Sequence, residues 1–555
     1  DVVGGRAGRG HTERAADFQH VAAHLAEPTE VVEQFPANDG IFLDIIHQGQ
    51  CCCRWCMDGM AAEGYNPEDE EDRKRFARQT LDKYYRATTA AVRDRAPTMP
   101  VFHNAGHIER GNRDILKYFS HLELESLPTG GWGYDHFPMS AKYCQNLDLD
   151  FMGMTGKFHT TWGEFGGIKH PNALRYECAA MLAYGAKCSV GDQLHPCGQL
   201  DATTYSLIGL AYRDVAEKEA WCDNVVPVAD AAILSGGQGS KNNDSADVGA
   251  ARILLEGHIP HTVIDTQADF SPYQLLVVPD AVCIAGDLKQ KLDRYLAGGG
   301  KLFLSGNSGL DPDGAPLFDI GAEVGAESDL SPDFILPIED LRPDFVTSPV
   351  VMYTRSRRLK VTDGESLGAV YDPYFNRTYE HFCSHQHTPY RMDPSGYDCG
   401  VKKGNIVYLA HPVFTLYRGY GTTVYKHYVL AALKKLLGTD WSIETNMPST
   451  ARSSLNEQPA QNRYVLHLLY ANTINRGGAI NLHGGTTSAK GMQIEVIEEL
   501  VPLHDVEVSV HVPKTVKRVM LQPQGQDLPF ERNGDRIVCK LDSFTCHQML
   551  VLECE

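Results

Sequence analysis

Short apolar segments alternate with longer amphipathic segments through the first 222 residues of the chain. The apolar segments have the length and composition of buried strands and begin near residues 41, 100, 121, 150 and 187. Helical patterns lie between them, for example over 170–185 and 202–222. This rhythm predicts an α/β fold of the (β/α)8 barrel type, with its active site on the loops after the strands. Because five strand–helix units are visible, we expect the chain to start inside the barrel, with the first strands missing.

Two other patterns follow the barrel segment. Residues 223–440 again alternate strands and helices, which predicts an open, doubly wound α/β sheet of the Rossmann or flavodoxin type. This segment has no GxGxxG or P-loop motif, which favours a structural or assembly role. Residues 441–555 alternate apolar and polar positions, which predicts a small antiparallel β-sandwich. The sequence therefore predicts three domains, at 1–222, 223–440 and 441–555.

Composition narrows the classes of function. Of 555 residues, 43% are apolar and 22% charged, enough to build several globular cores. The formal net charge of −20 argues against nucleic acid and anionic membranes as partners and suits a neutral substrate. No apolar run approaches the roughly 20 residues that span a bilayer, and the first residues lack the apolar core of a signal peptide. Fifteen scattered cysteines indicate reduced thiols and a cytoplasmic setting.

The stretch 121–138, HLELESLPTGGWGYDHFP, is the strongest candidate for chemistry. Glu123 and Glu125 share one face of a predicted strand, and two carboxylates on one face are costly to bury without a partner or a task. The glycine-rich loop that follows carries Trp132 and His136. The alternative is an edge strand with a solvated acidic face.

Polar groups also follow the neighbouring strands. The candidates are Asp44, His47, His103, Asn104, His159, Trp162, Glu164 and Asp192. Each of them, taken singly, is more often a packed or exposed residue than a ligand. Together they converge on one predicted rim, where two carboxylates could flank a glycosidic bond while aromatic rings stack on sugars and histidines bind hydroxyls.

Two clusters allow more than one interpretation. Cys51, Cys53 and Cys56 form C-x-C-x-x-C, which is either a cluster of reduced thiols or three ligands of a zinc site whose fourth ligand comes from elsewhere. The segment 376–390 contains His381, His385 and His387. A buried polar network or a subunit contact explains these histidines better than a metal site does.

Four stretches resemble the galactosidase-like α-L-fucosidases of glycoside hydrolase family 151: FLDI at 42–45, the cysteine motif at 51–56, LELESLPTGGWGYDHFP at 122–138 and SHQHTPY at 384–390. The resemblance covers residues 37–555. It implies a barrel, a β-galactosidase-type trimerisation domain and a β-sandwich. It also implies retaining hydrolysis of a fucoside by a homo-oligomer, without a cofactor or metal.

The resemblance also implies roles for residues. Asp44 matches the nucleophile position, and Glu125 is favoured over Glu164 and Glu123 as acid/base. The predicted rim itself, apart from the resemblance, supplies the residues expected to bind substrate: His47, His103, Asn104, Trp132, His136, His159, Trp162 and Asp192. We hypothesise that His385 and His387 join them from a neighbouring subunit. The alternatives are a β-galactosidase-like glycosidase, which would use two glutamates, and a catalytically silent sugar-binding or assembly protein.

Overall fold

A computed structural model of the protein describes residues 21–236, 241–476 and 494–555. The first part contains parallel strands that alternate with helices. Its strands are β1 (Ile41–Leu43), β2 (Val101–His103), β3 (Leu122–Glu125), β4 (Phe151–Gly156) and β5 (Lys187–Gly191). Its helices are α1 (Val21–Gln34), α2 (Arg54–Ala62), α3 (Glu70–Arg93), α4 (His136–Cys144), α5 (Pro171–Ala183) and α6 (Ala202–Ala216).

The five strands form two parallel groups. Strand β1 pairs with β2, and β3, β4 and β5 form a second sheet in that order. The backbone N–H of Ser120 donates to the carbonyl of Val101 at 2.9 Å, which links the segment before β3 to β2. The predicted strand–helix rhythm of a (β/α) barrel is therefore confirmed at all five strands.

Local sequence explains why these elements form. Asp69 is the N-cap residue of helix α3, and its carboxylate accepts from the N–H of Asp72 at 3.0 Å. Acidic residues fill the first turn of this helix, as the helix dipole favours. In β3 the side chains alternate, so that Leu122 and Leu124 are buried in the hydrophobic core. The two glutamates of that strand take the opposite face.

A short strand, β6 (Val226–Pro227), leads into the doubly wound domain. That domain begins with β7 (Ala231–Leu234), α7 (Lys241–Glu256), β8 (His261–Ile264), β9 (Leu275–Val278), α8 (Gly286–Ala297) and β10 (Lys301–Ser305). An unpredicted insertion of short strands follows: β11 (Ala322–Glu327), β12 (Phe334–Pro337), β13 (Val350–Val351), β14 (Arg357–Val361), β15 (Glu365–Ser366) and β16 (Gly368–Tyr371). The domain ends with β17 (Gly400–Lys403), β18 (Ile406–Leu409), α9 (Val413–Tyr420) and α10 (Thr423–Leu437).

The main sheet of this domain has the order β15-β17-β18-β10-β9-β7-β8. Its inner strands are parallel. At one edge, β17 runs antiparallel to β18, and β15 runs antiparallel to β17. This is the predicted open α/β sheet with an antiparallel edge. The insertion was missed because its strands are short and lack a regular alternation.

The C-terminal part consists of strands. They are β19 (Ile443–Thr445), β20 (Arg452–Gln458), β21 (Arg463–Tyr470), β22 (Thr473–Arg476), β23 (Ile494–Ile497), β24 (Leu503–His511), β25 (Val516–Gln522), β26 (Gln526–Asp527), β27 (Phe530–Asn533), β28 (Arg536–Phe544) and β29 (Cys546–Cys554). Two sheets, β19-β24-β28-β27 and β26-β25-β29-β21-β20-β6, pack around one apolar core, which confirms the predicted β-sandwich. Strand β6 thus joins the sandwich although it precedes the α/β domain in sequence.

Short 3₁₀ helices at Arg113–Tyr118, Pro128–Gly130, Glu219–Trp221, Glu339–Leu341 and Pro459–Gln461 complete the described elements. Among the helices that the structure describes, none combines the length and the apolar character needed to cross a lipid bilayer.

Candidate active site

The ends of β1, β2 and β3 bring two carboxylates and one amide together. Asp44 follows β1, Asn104 follows β2, and Glu125 is the last residue of β3. The Nδ2 amide of Asn104 donates to Oδ1 of Asp44 at 2.8 Å and to Oε1 of Glu125 at 2.7 Å. The two carboxylate oxygens therefore lie no more than 5.5 Å apart, the sum of the two hydrogen-bond lengths.

A tight turn after β2 fixes the bridging amide. Oδ1 of Asn104 accepts from the N–H of Gly106 at 2.9 Å, and the carbonyl of Gly106 accepts from the N–H of Glu125 at 3.1 Å. Gly106 has φ +85°, which a residue with a side chain rarely adopts. The turn thus orients Asn104 and ties its backbone to the strand that carries Glu125.

The residue after Asp44 has an unusual backbone. Ile45 has φ 53°, although β-branched residues are rare in the left-handed region, and its side chain is 75% exposed. Backbone strain of this kind costs roughly 1–3 kcal/mol and is frequent at functional sites. It turns the chain sharply directly after the carboxylate of Asp44.

Glu125 has the electrostatics of a proton donor. Its carboxyl is half-buried, and burial raises its pKa above the ordinary value. The hydrogen bond from Asn104 lowers that pKa, and the negative charges of Asp44 and Glu123 raise it, with a net upward shift. An upward shift favours the protonated form, which is the form that a general acid needs.

The other two predicted catalytic acids are engaged elsewhere. Glu123 is buried, and its Oε1 pairs with Nε2 of His121 at 2.9 Å. Glu164 binds its own loop: Oε2 accepts from the N–H groups of His159 at 3.1 Å and Thr160 at 2.8 Å, and Oε1 accepts from the Thr160 hydroxyl at 2.9 Å. These bonds give Glu164 a role in shaping the loop after β4.

The loop after β3 ties His136 and Trp132 to the residue that follows Glu125. Nδ1 of His136 shares a hydrogen bond of 3.2 Å with the hydroxyl of Ser126, the residue that follows Glu125. The ring centroids of Trp132 and His136 are 4.9 Å apart. The sequence pattern identified both rings but gave no signal for Ser126 as their link to the strand.

Trp162 lies across the ends of β4 and β5. A Cβ atom at Gly156 or Gly191 would lie 3.0 Å or 2.8 Å from Cζ3 of Trp162, so the two glycines make room for the indole. Its Nε1 is buried and has no hydrogen-bond acceptor among the described residues. Asp192, directly after β5, lies 3.8 Å from Nζ of the buried Lys157.

Three histidines that were predicted to bind substrate lie in different surroundings. His103 is 1% exposed and packs against α3, where its Nε2 shares a 2.9 Å hydrogen bond with the hydroxyl of Thr89. Burial lowers its pKa to about 3. His47 is exposed in the loop after β1, and the half-buried His159 contributes its backbone N–H to Glu164. Of these three, His103 lies in the core between strand and helix, away from the bridging amide of Asn104.

The cysteine motif forms a compact cluster. The sulfur atoms of Cys51, Cys53 and Cys56 all lie within 4.8 Å of one another, and no fourth histidine, cysteine or carboxylate of the described residues joins them. All fifteen cysteines are free thiols. Burial raises the pKa of Cys56 well above its ordinary value. This spacing fits three of the four ligands of a tetrahedral zinc site, and it equally fits a cluster of reduced thiols.

The histidine-rich segment divides into packed and exposed residues. The ring of His387 lies 5.7 Å from that of Phe334 and 6.4 Å from that of Tyr353, both in its own domain. His385 is exposed. One of the two predicted histidines thus packs within the α/β domain, and the other is accessible to a partner.

Comparisons with known proteins identify the family of the chain. Residues 252–315 match the family model of the β-galactosidase trimerisation domain. The structure of α-L-fucosidase isoenzyme 2 from Paenibacillus thiaminolyticus is 42% identical, with a TM-score of 0.90 over 97% of this chain and 80% of that chain. The chain belongs to this α-L-fucosidase family. The family resemblance seen in the sequence is therefore confirmed, together with the fold class.

More distant structures share the fold. The β-galactosidase from Bacillus circulans sp. alkalophilus is 11% identical, with a TM-score of 0.66 over 99% of this chain and 84% of that chain. The β-galactosidase from Rahnella sp. R3 is 12% identical, with a TM-score of 0.64 over 99% and 83%. No curated protein matches the sequence.

Proposed function

We propose that the chain is a retaining α-L-fucosidase in which Asp44 is the nucleophile and Glu125 the general acid and base. The hydrogen-bond donor shared by the two carboxylates carries the proposal, because it limits the distance between their nearest oxygens to 5.5 Å. Retaining glycosidases hold their two carboxyls about 5–5.5 Å apart, and inverting enzymes hold them roughly 6.5–9.5 Å apart. The similarity to a family member at 42% identity supports the choice of sugar.

The reaction then has two steps. Asp44 attacks the anomeric carbon of the fucosyl residue while Glu125 gives its proton to the departing glycosidic oxygen, which leaves a fucosyl ester on Asp44. Water next attacks the same carbon, Glu125 takes a proton from that water, and the carboxylate of Asp44 leaves. The raised pKa of Glu125 suits the first step, and its ionised form after proton donation suits the second.

The remaining site residues are proposed to bind the sugar. Trp132 offers a ring face for stacking, and His136 and His47 offer nitrogen atoms for hydroxyl groups. The buried Nε1 of Trp162, which has no acceptor among the described residues, would donate to a sugar oxygen. His159 and Asp192 would line the rim after β4 and β5.

A panel of 4-nitrophenyl glycosides tests the proposed activity. We expect hydrolysis of the α-L-fucoside and a rate at least 100-fold lower on the β-D-galactoside. Proton NMR should show α-L-fucose as the first product, since two displacements retain configuration. Preferred hydrolysis of the galactoside would establish a β-galactosidase instead, and a chain that binds fucose without cleaving any glycoside would be a sugar-binding protein.

We further propose that the chain assembles as a homo-oligomer through its trimerisation domain. The exposed His385 belongs to a segment in which Tyr379 is 91% and Phe382 66% exposed, as a surface between subunits would be in an isolated chain. In this arrangement His385 reaches the rim near Trp132 and His136 of a neighbouring subunit, while His387 packs within its own domain and supports the segment. Sedimentation at micromolar concentration should give an oligomer, and a monomer would contradict the proposal.

The effect of the histidines is tested separately. His385→Ala should keep the oligomer and lower kcat/KM about tenfold, because one hydrogen bond to the sugar is lost. An unchanged kcat/KM would assign the segment to assembly alone. A cytoplasmic setting is also proposed, on the ground that all fifteen cysteines are free thiols.

A further inference from the structure

The loop between β3 and α4 is held by an ion pair with two other domains. Oδ1 of Asp135 accepts from Nε of Arg452 at 3.0 Å and from Nη2 at 2.7 Å, and Oδ2 accepts from Nε of Arg252 at 3.2 Å. Arg452 is the first residue of β20 in the β-sandwich, and Arg252 lies on α7 of the α/β domain. The three side chains are 12–28% exposed, so water screens their charges only partly.

The carboxylate of Asp135 does not serve the helix that it precedes. Asp135 is the N-cap residue of α4, where an aspartate ordinarily accepts from the first free backbone N–H groups, but its side chain makes no such bond. Burial alone would raise the pKa of Asp135, and the charges of Arg452 and Arg252 outweigh it and lower the pKa. The carboxylate therefore remains ionised and is committed to the two arginines.

A second carboxylate, from the two-stranded sheet β22-β23 of the C-terminal part, holds the same loop. Oε2 of Glu495, on β23, accepts from the backbone N–H of Tyr134 at 3.0 Å. The neighbouring Gly133 has φ +76°, and a Cβ atom there would lie 3.5 Å from both oxygens of Glu495. The left-handed backbone at Gly133, which favours glycine, thus lies in van der Waals range of the carboxylate of Glu495.

The held loop continues directly to the catalytic strand. Asp135 is followed by His136, whose ring lies beside Trp132 and shares a hydrogen bond with Ser126 at 3.2 Å. Ser126 follows Glu125 and donates its backbone N–H to Met154 of β4 at 2.8 Å. A movement of Asp135 would therefore displace the aromatic and imidazole rings that are linked through Ser126 to the strand of the proposed acid/base.

We propose that Asp135, Arg252, Arg452 and Glu495 are positioning residues for the active site. Through them, the β-sandwich and the α/β domain set the position of the loop that carries Trp132 and His136 relative to Glu125. This inference rests on the proposed function of the site. The competing explanation is that the ion pair only docks the domains onto each other and leaves the site unaffected.

Asp135→Asn tests the inference, because asparagine has the shape of aspartate but no charge for the two arginines. The matched control is Asp372→Asn, which uncharges an ion pair of similar burial and length: Asp372 and Arg358 are 18% and 17% exposed and 2.8 Å apart. We expect kcat/KM on 4-nitrophenyl α-L-fucoside to fall 10- to 100-fold in Asp135→Asn and less than twofold in the control. Arg452→Lys keeps the charge without the guanidinium fork and should lose about fivefold.

The pH profile separates positioning from loss of stability. A displaced loop admits water to Glu125 and so removes part of the burial that raises its pKa. The basic limb of kcat/KM should therefore move to lower pH in Asp135→Asn and stay in place in Asp372→Asn. Equal losses in both variants, or an unmoved basic limb, would overturn the positioning role. If Asp135→Asn does not fold, Arg452→Lys decides by the same criteria.

Hydrogen exchange gives a result that does not depend on activity. In the wild-type protein the amides of Gly133 and Tyr134 are bonded to the carbonyl of Pro128 at 3.2 Å and to Glu495 at 3.0 Å. These amides should exchange at least tenfold faster in Asp135→Asn and at unchanged rates in Asp372→Asn. If the wild-type protein cleaves no glycoside, the proposed function fails. Unchanged exchange in Asp135→Asn would overturn the positioning inference whichever way the activity assay turns out.

Discussion

At the scale of single residues, Asp44 is the group whose removal should be most damaging. In Asp44→Ala no carboxylate remains to form the fucosyl ester, and we expect kcat to fall by about 10⁴-fold, in line with the loss of a nucleophile. Azide is small enough to occupy the space of the missing side chain. Added azide should restore part of the rate and yield fucosyl azide of inverted configuration.

Glu164→Ala is the matched control for Asp44→Ala. Its carboxylate is occupied by three hydrogen bonds within its own loop, so its loss should lower stability and leave no azide-dependent rate. Azide rescue in Glu164→Ala and its absence in Asp44→Ala would assign the nucleophile to Glu164 instead.

Asn104 should tune the proton affinity of Glu125. Its hydrogen bond lowers the pKa of Glu125, while burial and the neighbouring acids raise it. In Asn104→Ala the lowering contribution is lost, so the pKa of Glu125 rises and the basic limb of kcat/KM moves to higher pH. The rate itself should fall about 100-fold, because the two carboxylates lose their common donor.

The control for Asn104→Ala is Asn456→Ala, which removes an equally buried amide that donates to the carbonyl of Ala183 at 3.0 Å. It should cost stability without moving the pH profile. A basic limb that stays in place in Asn104→Ala would show that the amide does not control the protonation of Glu125.

Sequence reasoning could identify the carboxylates but not the group that joins them. Acids at strand ends stand out because burial of an unpaired charge is costly, and the ends of parallel strands meet on one rim. The bridging role of Asn104 depends on the turn at Gly106, and the φ angle of that glycine cannot be predicted from the sequence pattern. The same limit applies to the burial of His103, since alternation along so short a strand as β2 does not reveal which side faces α3.

At the scale of elements, helices α7 and α9 pack so closely that a single methyl group should disturb them. A Cβ atom at Gly249 would lie 2.0 Å from the backbone carbonyl oxygen of Phe414, which has little freedom to move. Gly249→Ala should therefore lower the free energy of unfolding by roughly 2–3 kcal/mol, as overpacking does. Scanning calorimetry should show a lower Tm.

Gly419→Ala is the control on α9. A Cβ atom there meets nothing within 4 Å, and the position is helical and exposed. Alanine should stabilise the helix by roughly 0.5–1 kcal/mol because it restricts the unfolded chain. If Gly249→Ala were as well tolerated as Gly419→Ala, the close helix contact would be refuted.

Helices α3 and α4 show which elements could be predicted from the sequence and which could not. Helix α3 was predictable because acids lead, bases follow and the segment is long. Helix α4 was missed because the glycines and aromatic residues before it have the character of a loop, and its cap residue is used by arginines from other domains. Local pattern fails there because distant contacts decide the structure.

At the scale of the whole molecule, the order of the three domains followed from changes in hydrophobic period along the chain. Their contacts did not, because partners such as Asp135 and Arg452 are more than three hundred residues apart in sequence. Strand β6 illustrates the same point, since two residues between the barrel and the α/β domain complete a sheet of the β-sandwich. The fold type of each domain could therefore be predicted from the local sequence pattern, and the contacts between domains could not.

Buried neutral histidines should make the whole fold sensitive to acid. Burial lowers the pKa of five of them across the three domains: His103, His258, His261, His467 and His547. A histidine whose pKa is lower in the folded than in the unfolded state favours folding above its unfolded pKa of about 6.5, and this stability is lost as the pH falls. The free energy of unfolding should therefore decrease from pH 7.5 to pH 5.

His103→Gln tests this origin of the acid sensitivity. The pKa of His103 is about 3 in the folded state, so one and a half pH units below 6.5 its neutral form costs the folded chain about 2 kcal/mol relative to the unfolded chain. Glutamine has no such titration and can still bond to Thr89. The difference between urea midpoints at pH 7.5 and pH 5 should shrink in His103→Gln and stay as in the wild type in His504→Gln, which changes an exposed histidine. An undiminished difference in His103→Gln would mean that other groups govern the acid sensitivity of the barrel.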